Sequence, residues 1–95
     1  MKIPKSVKVG GHILDVVQTT DCGVIGSDCI GQTILAKNII YLNESYPKSR
    51  LKEALLHEIV HNCFFDLQAE QSEELINRIG VMLYMLIMDN PKIFK

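Results

Sequence analysis

The spacing of apolar side chains changes near the middle of the chain. Up to about residue 45, apolar and polar residues alternate in short runs rich in β-branched side chains, which is typical of half-buried strands. The first two runs, residues 7–9 and 12–17, flank Gly10 and Gly11, and a Gly-Gly pair at such a place favours a two-residue hairpin turn. A polar, glycine-rich loop follows, and two more short strands are predicted at residues 30–36 and 39–42.

Beyond these strands, apolar positions recur every three or four residues, which indicates helices. The first helix is predicted to run to about Phe65, with Asn43 or Ser45 available as its N-cap. Pro47 suits the first turn of this helix, because its fixed φ angle and missing N–H cost nothing there. Its apolar positions are Leu51, Ala54, Leu55, Ile59, Val60 and Cys63.

A second helix is predicted after the polar residues 66–71. Ser72 can cap it, and the acidic Glu73 and Glu74 suit the positive end of the helix dipole. The helix is expected to end before Pro91, which cannot continue it. Its apolar stripe consists of Leu75, Ile76, Ile79, Met82, Leu83, Leu86 and Ile87.

Strands followed by helices predict one α+β domain that spans residues 1–95, β-rich over residues 1–45 and helical over residues 46–90. The predicted architecture is a small antiparallel β-sheet of three or four strands followed by two helices. A hydrophobic fraction of 47% argues against a disordered chain and for one packed core.

Charge and hydropathy narrow the choice of partners. Ten basic and eleven acidic residues give a net charge of −1 without a basic cluster, which argues against a nucleic-acid partner. The longest apolar run, residues 81–88, is far shorter than the roughly 20 residues needed to cross a bilayer. The first residues lack the apolar run of a signal peptide, so a cytoplasmic location without membrane attachment is expected. The oligomeric state is left open.

The chain has three cysteines, Cys22, Cys29 and Cys63. An odd number without a signal peptide argues against a disulfide framework. Six residues separate Cys22 from Cys29, which is not the spacing of two to four residues found in zinc knuckles. Reduced thiols in or near a turn are therefore expected, and the role of all three stays open.

The strongest chemical signal is His57-Glu58-Ile59-Val60-His61, an H-E-x-x-H motif in the middle of the first predicted helix. Residues four apart lie on one face of a helix, so both imidazoles can reach one zinc ion. Glu58 is rotated by about 100° from His57, where it can act as general base toward a water molecule on the metal. Because burying His and Glu among apolar residues without a partner is unfavourable, the pattern favours a metal site over accidental spacing.

A catalytic zinc site needs a third protein ligand besides His57 and His61. The longer metzincin motif would require Gly and His where this chain has Phe64 and Leu67, so that class is excluded. His12 follows a glycine turn and is expected to be exposed. The remaining candidates are carboxylates on or just before the second helix: Glu70, Glu73 and Glu74.

Helical phase separates these carboxylates. With Glu73 set at about 0° and roughly 100° per residue, the apolar positions of the second helix cluster at roughly 180° to 320°. Glu73 then lies at the edge of this face, in line with Ile76 and Gly80. Glu74 points nearly the opposite way, with Arg78 beside it. Glu73 is therefore the predicted third ligand, with the other two carboxylates as alternatives, and an acid favoured only by the helix dipole is the non-functional interpretation.

Several segments carry a family likeness: Ile3-Pro4-Lys5, Val9-Gly10-Gly11-His12, residues 39–42, residues 55–61, residues 73–76, and Leu83-Tyr84 with Asp89-Asn90. Together they resemble small phage and prophage proteins that are minimal relatives of the ImmA/IrrE-like zinc metallopeptidases. The resemblance implies a gluzincin-type, zincin-like core in which His57 and His61 bind zinc. It also implies Glu58 as general base and an acid on the following helix as third ligand.

The favoured hypothesis is a zinc-dependent metallopeptidase, phage- or prophage-encoded, that cleaves a repressor or another protein in the bacterial host cytoplasm. The alternative is a non-enzymatic zinc-stabilised module that binds a protein partner, since small domains gain folding stability from bound metal. Glu58 separates the two, because a purely structural site has no use for a base beside the metal. A metal-free interaction domain would require an accidental motif.

Overall fold

The computed structural model describes residues 1–21, 23–66 and 72–94. Within these residues the chain forms four strands, β1 (Ser6–Val9), β2 (His12–Thr19), β3 (Gly31–Ile34) and β4 (Ile39–Asn43), and then two helices, α1 (Lys48–Asp66) and α2 (Glu73–Asp89). The predicted α+β class, with a sheet followed by two helices, is confirmed. Cys22, the alternative ligand Glu70 and most of the predicted interhelical linker lie outside the described residues.

The four-stranded sheet has the order β1-β2-β4-β3 and is mixed. The outer pairs, β1 with β2 and β3 with β4, are antiparallel, as predicted, but the central pair of β2 with β4 is parallel. The physical reason is that the chain enters β3 two strand positions away from β2. This leaves room for β4 to return between β2 and β3, and β3 becomes an edge strand.

Two turns determine the strand ends. Gly10 and Gly11 have φ angles of 58° and 84°, the left-handed conformation that a two-residue hairpin turn requires. The strand predicted at residues 30–36 ends earlier, at Ile34, because Leu35–Lys37 forms a 3-10 turn. Asn38 then adopts a φ angle of 52°, which asparagine tolerates better than most residues, and starts the return into β4.

The core lies between one face of the sheet and α1. Along β2, Leu14 and Val16 are buried while Ile13 and Asp15 are exposed, so the alternation places one face inward. Helix α1 covers this face and completes the cluster of Val9, Leu14, Val16, Ile40, Leu42, Leu51 and Leu55. The H-E-x-x-H segment is thereby held on a helix that is anchored over much of its length.

Helix α1 begins one residue after Pro47, whose carbonyl oxygen accepts hydrogen bonds from the amides of Arg50 and Leu51. The two candidate caps, Asn43 and Ser45, hydrogen-bond to each other. The side chain of Asn43 accepts hydrogen bonds from the amide and hydroxyl of Ser45 and so stabilises the turn that precedes the helix. No helix among the described residues is long and apolar enough to cross a membrane.

Helix α2 packs chiefly against α1. Its buried positions are Ile76 and Gly80, fewer than the predicted apolar stripe. Leu75, Met82 and Leu86 are exposed, because α2 packs chiefly on one helix, so that only a narrow line of α2 is covered.

Candidate metal centre

His57 and His61 lie one turn apart on α1, as predicted, and their side chains are largely buried. Their ring centroids are 4.8 Å apart with an interplanar angle of 64°. The side chains are 20% and 24% exposed, so most of each imidazole is packed against the protein and a part remains accessible. Both rings therefore present their Nε2 atoms to the same point above the helix.

Glu73 approaches this point from the first turn of α2. Its Oε1 lies 2.8 Å from Nε2 of His57, and its Oε2 lies 3.1 Å from Nε2 of His61. One carboxylate thus contacts both imidazoles, with one oxygen for each. Glu74 points away and pairs with Arg78 at 2.6 Å, as the helical phase predicted.

Two features of α2 place Glu73 there. The hydroxyl oxygen of Ser72 accepts a hydrogen bond from the amide of Leu75, so the predicted cap is present and Glu73 is the first helical residue. Ile76 and Gly80, three and seven residues further on, lie on the same face of the helix and are its buried positions. The face that packs against α1 is therefore also the face that carries Glu73.

Gly80 allows the two helices to come close. A Cβ atom at this position would lie 3.1 Å from Cα of His57 and 3.4 Å from its Cβ. The α2 backbone therefore rests directly on the residue that carries the first motif imidazole. Sequence reasoning noted the alignment of Gly80 with Glu73 but did not assign it this contact.

Glu58 lies beside the two histidines and is buried. The potential metal-binding atoms of His57, Glu58 and His61 all lie within 4.8 Å of one another. Oε1 of Glu58 accepts a hydrogen bond of 2.8 Å from the hydroxyl of Thr33, on the neighbouring edge strand β3. The carboxylate is therefore held by the sheet and not only by its own helix.

Asn62, also buried, completes this polar group. Its amide nitrogen donates a hydrogen bond of 2.8 Å to the backbone oxygen of Glu58 and a longer one of 3.4 Å to the hydroxyl oxygen of Thr33. Sequence reasoning missed both Thr33 and Asn62. A threonine in a strand and an asparagine in a helix are unremarkable by themselves, and only the packing of α1 on β3 brings them together.

Strand β3 lies close to α1 at Gly31. A Cβ atom there would lie 3.4 Å from side-chain atoms of Ala54, Glu58 and Leu42. The site opens into a cleft of about 390 Å³ that lies between this strand and the two helices. A second hollow of about 290 Å³ adjoins it along β3 and shares Gly31, Glu58 and His61 with it.

Among the described residues, His57, Glu58 and His61 form a group that could hold a metal ion, and the Glu73 carboxylate contacts both imidazoles. Imidazole nitrogens and carboxylate oxygens are the types of ligand that catalytic zinc sites use, so the donor types would suit zinc. His12 is exposed, as predicted, and neither it nor Cys29 nor Cys63 belongs to the cluster of potential ligands among the described residues. The three residues predicted as ligands are thus brought together by the fold.

Comparison of this chain with protein-family models, with curated proteins and with solved structures finds no match.

Proposed function

We propose that this protein is a zinc-dependent metallopeptidase that hydrolyses peptide bonds of a protein substrate. The observation that carries the proposal is the meeting of His57, His61 and Glu73 at one point, with the buried Glu58 beside them. These side chains come from two helices, α1 and α2. Accidental spacing of residues on one exposed helix would not explain why they meet. The resemblance to ImmA/IrrE-like proteins points to the same chemistry and to the host cytoplasm as the place of action.

In this proposal His57, His61 and Glu73 hold the metal. When bound, zinc polarises a carbonyl group and lowers the pKa of water to about 7. Glu58 takes the proton of the attacking water on a carboxylate oxygen and passes it to the leaving amine. Oε1 of Glu58 is occupied by the hydroxyl of Thr33, so Oε2 is the oxygen assigned to this transfer.

The substrate is proposed to lie along β3. This strand pairs with β4 on one side only, so it offers backbone groups to an extended peptide on the other. The cleft beside it passes Gly31 and Glu58 and continues toward Asn77 and Val81 of α2. Among the described residues, this edge and the facing helices are proposed to form the substrate groove.

A second candidate is a zinc-stabilised module without catalytic activity. The observation that favours it is the small buried face of α2, which rests on α1 mainly through Ile76 and Gly80. A metal held by α1 and Glu73 would join the two helices and add folding stability. In this alternative Glu58 would have no catalytic task, and its hydrogen bond with Thr33 would serve only to join α1 to β3.

The experiment that tests the proposal compares the zinc-loaded wild type with Glu58→Gln. The variant keeps the shape of the side chain and removes its basicity. We expect it to fold, to retain one zinc ion per chain by plasma emission spectroscopy, and to lose cleavage about a hundredfold or more. Cleavage is measured as new protein amino termini that appear in a bacterial lysate.

The matched control is Glu44→Gln, an exposed glutamate in the turn before α1, which should cleave like the wild type. Undiminished cleavage by zinc-loaded Glu58→Gln would refute the proposed mechanism. A wild type that holds zinc, cleaves nothing, and melts at a different temperature from Glu58→Gln would favour the non-catalytic module.

A further inference from the structure

Thr33 and Asn62 form a short chain of hydrogen bonds that ends on the carboxylate of Glu58. Asn62 donates to the hydroxyl oxygen of Thr33 at 3.4 Å, and Thr33 donates to Oε1 of Glu58 at 2.8 Å. The three residues come from β3 and from two successive turns of α1, so the chain joins the edge strand to the helix.

The direction of this chain follows from the chemistry of its groups. The amide nitrogen of Asn62 can only donate, so it uses a lone pair of the Thr33 hydroxyl oxygen. The hydroxyl of Thr33 donates its hydrogen to Oε1 of Glu58, which leaves its oxygen lone pairs for Asn62. The second hydrogen of the Asn62 amide is held by the backbone oxygen of Glu58 at 2.8 Å, which keeps that amide in its orientation.

The hydroxyl at position 33 takes no part in the pairing of β3 with β4. Strand β3 is held by backbone pairing with β4, from Gly31↔Leu42 to Ile34↔Ile39. Valine has the same shape as threonine and is at least as favourable in a strand. What the hydroxyl adds is a hydrogen-bond donor to a buried carboxylate, whose orientation would otherwise depend on packing alone.

We infer that Thr33 is a positioning residue for Glu58, with Asn62 orienting its hydroxyl. By binding Oε1, Thr33 selects one rotamer of the glutamate and leaves Oε2 for the proton transfer. Edge strand β3 thus has two tasks, since it carries the proposed peptide-binding edge and also sets the orientation of the base. This inference rests on the proposed function, because it assumes that Glu58 is the base of a zinc site.

The test compares Thr33→Val, which removes only the hydroxyl, with Thr33→Ser, which restores it. The first measurement is the crystal structure of each protein without metal, in which Glu58 should leave its position in Thr33→Val and keep it in Thr33→Ser. The second is the affinity of the zinc-loaded proteins for acetohydroxamic acid by titration calorimetry. This probe binds zinc as its anion and can form a hydrogen bond with a carboxylate that is oriented beside the metal.

We expect Thr33→Val to bind the probe about tenfold more weakly, because a hydrogen bond to a charged group is worth about that factor. Thr33→Ser should bind the probe within about threefold of the wild-type affinity. Thr19→Val is the matched control. It removes the hydroxyl of another strand threonine, whose oxygen accepts a hydrogen bond from the backbone amide of Asp21. If Thr33→Val fails to fold, Thr33→Ala takes its place with the same expectation.

The outcomes separate this inference from the proposed function. If all variants hold zinc and Thr33→Val binds the probe as tightly as the wild type, or leaves Glu58 in place, the positioning role is wrong while the metal site stands. If the wild type holds no zinc, the proposed function fails, and the inferred role of Thr33 fails with it.

Discussion

At the scale of single residues, two side chains of the same type have different contacts and therefore different expected roles. Glu73 and Glu74 are neighbours in the first turn of α2, and both side chains are more than two-thirds exposed. Yet Glu73 contacts two imidazoles across the helix pair, whereas Glu74 pairs with Arg78 on its own helix. A surface ion pair within one helix is worth a few tenths of a kcal/mol, so the two carboxylates should respond very differently to substitution.

We therefore predict that Glu73→Gln weakens zinc binding at least tenfold. Substituting a residue that only hydrogen-bonds to a metal ligand already lowers metal affinity about ten- to a hundredfold, and loss of a ligand should cost no less. Glu74→Gln is the matched control and should change the zinc dissociation constant less than about twofold. Competition with a chromophoric chelator measures both values. A larger loss in Glu74→Gln would mean that the wrong carboxylate has been assigned.

At the scale of secondary-structure elements, the site depends on how closely α2 approaches α1. The contact is made by backbone at Gly80, above His57, and by the side chain of Ile76, which is completely buried. Seven residues before Gly80, the same face of the helix presents Glu73. The spacing between the helices therefore controls the distance from this carboxylate to the imidazoles.

Gly80→Ala tests this dependence. Alanine favours a helix by about 1 kcal/mol over glycine, but its Cβ would meet Cα of His57 at 3.1 Å, and overpacking costs about 1–3 kcal/mol. We expect a net loss of about 1 kcal/mol in the free energy of unfolding by urea, together with weaker zinc binding. The control Met85→Ala, on the exposed face of α2, should leave both the free energy of unfolding and the zinc affinity nearly unchanged. A more stable Gly80→Ala protein with unchanged zinc affinity would show that the helices can separate without effect.

At the scale of the whole molecule, a bound metal should contribute to stability, because it joins α2 to the rest of the fold. A ligand present at a hundred times its dissociation constant stabilises the folded state by about 2.7 kcal/mol. For a domain of this size, that corresponds to a rise in melting temperature of roughly 10–20 °C.

We predict that removing zinc with a chelator lowers the melting temperature of the wild type by such an amount. His61→Ala should melt at the lower temperature with or without the chelator, because it lacks a ligand. His12→Ala keeps the response of the wild type, since His12 is exposed and remote in the sequence from the motif. An equal response of the wild type and His61→Ala to the chelator would contradict the site. Calorimetry or circular dichroism measures the melting temperatures.

Local patterns in the sequence determined those parts of this protein that depend on neighbouring residues. The Gly10-Gly11 pair specified the hairpin because few other residues adopt positive φ angles there. Ser72 specified where α2 begins, and helical phase placed Glu73 and Glu74 on different faces. The H-E-x-x-H spacing put two imidazoles on one side of α1. Each of these follows from backbone geometry over a few residues.

The tertiary structure alone decided the features that join distant segments. The parallel pairing of β2 with β4 depends on where β3 lies relative to β2, which the periodicity of the sequence does not show. The contact of Thr33 with Glu58 and the close approach of Gly80 to His57 join residues more than 20 positions apart. The predicted apolar stripe of α2 is wider than the face that is buried. Hydropathy shows which side chains can be buried, but the surface of α1 determines which of these side chains are covered.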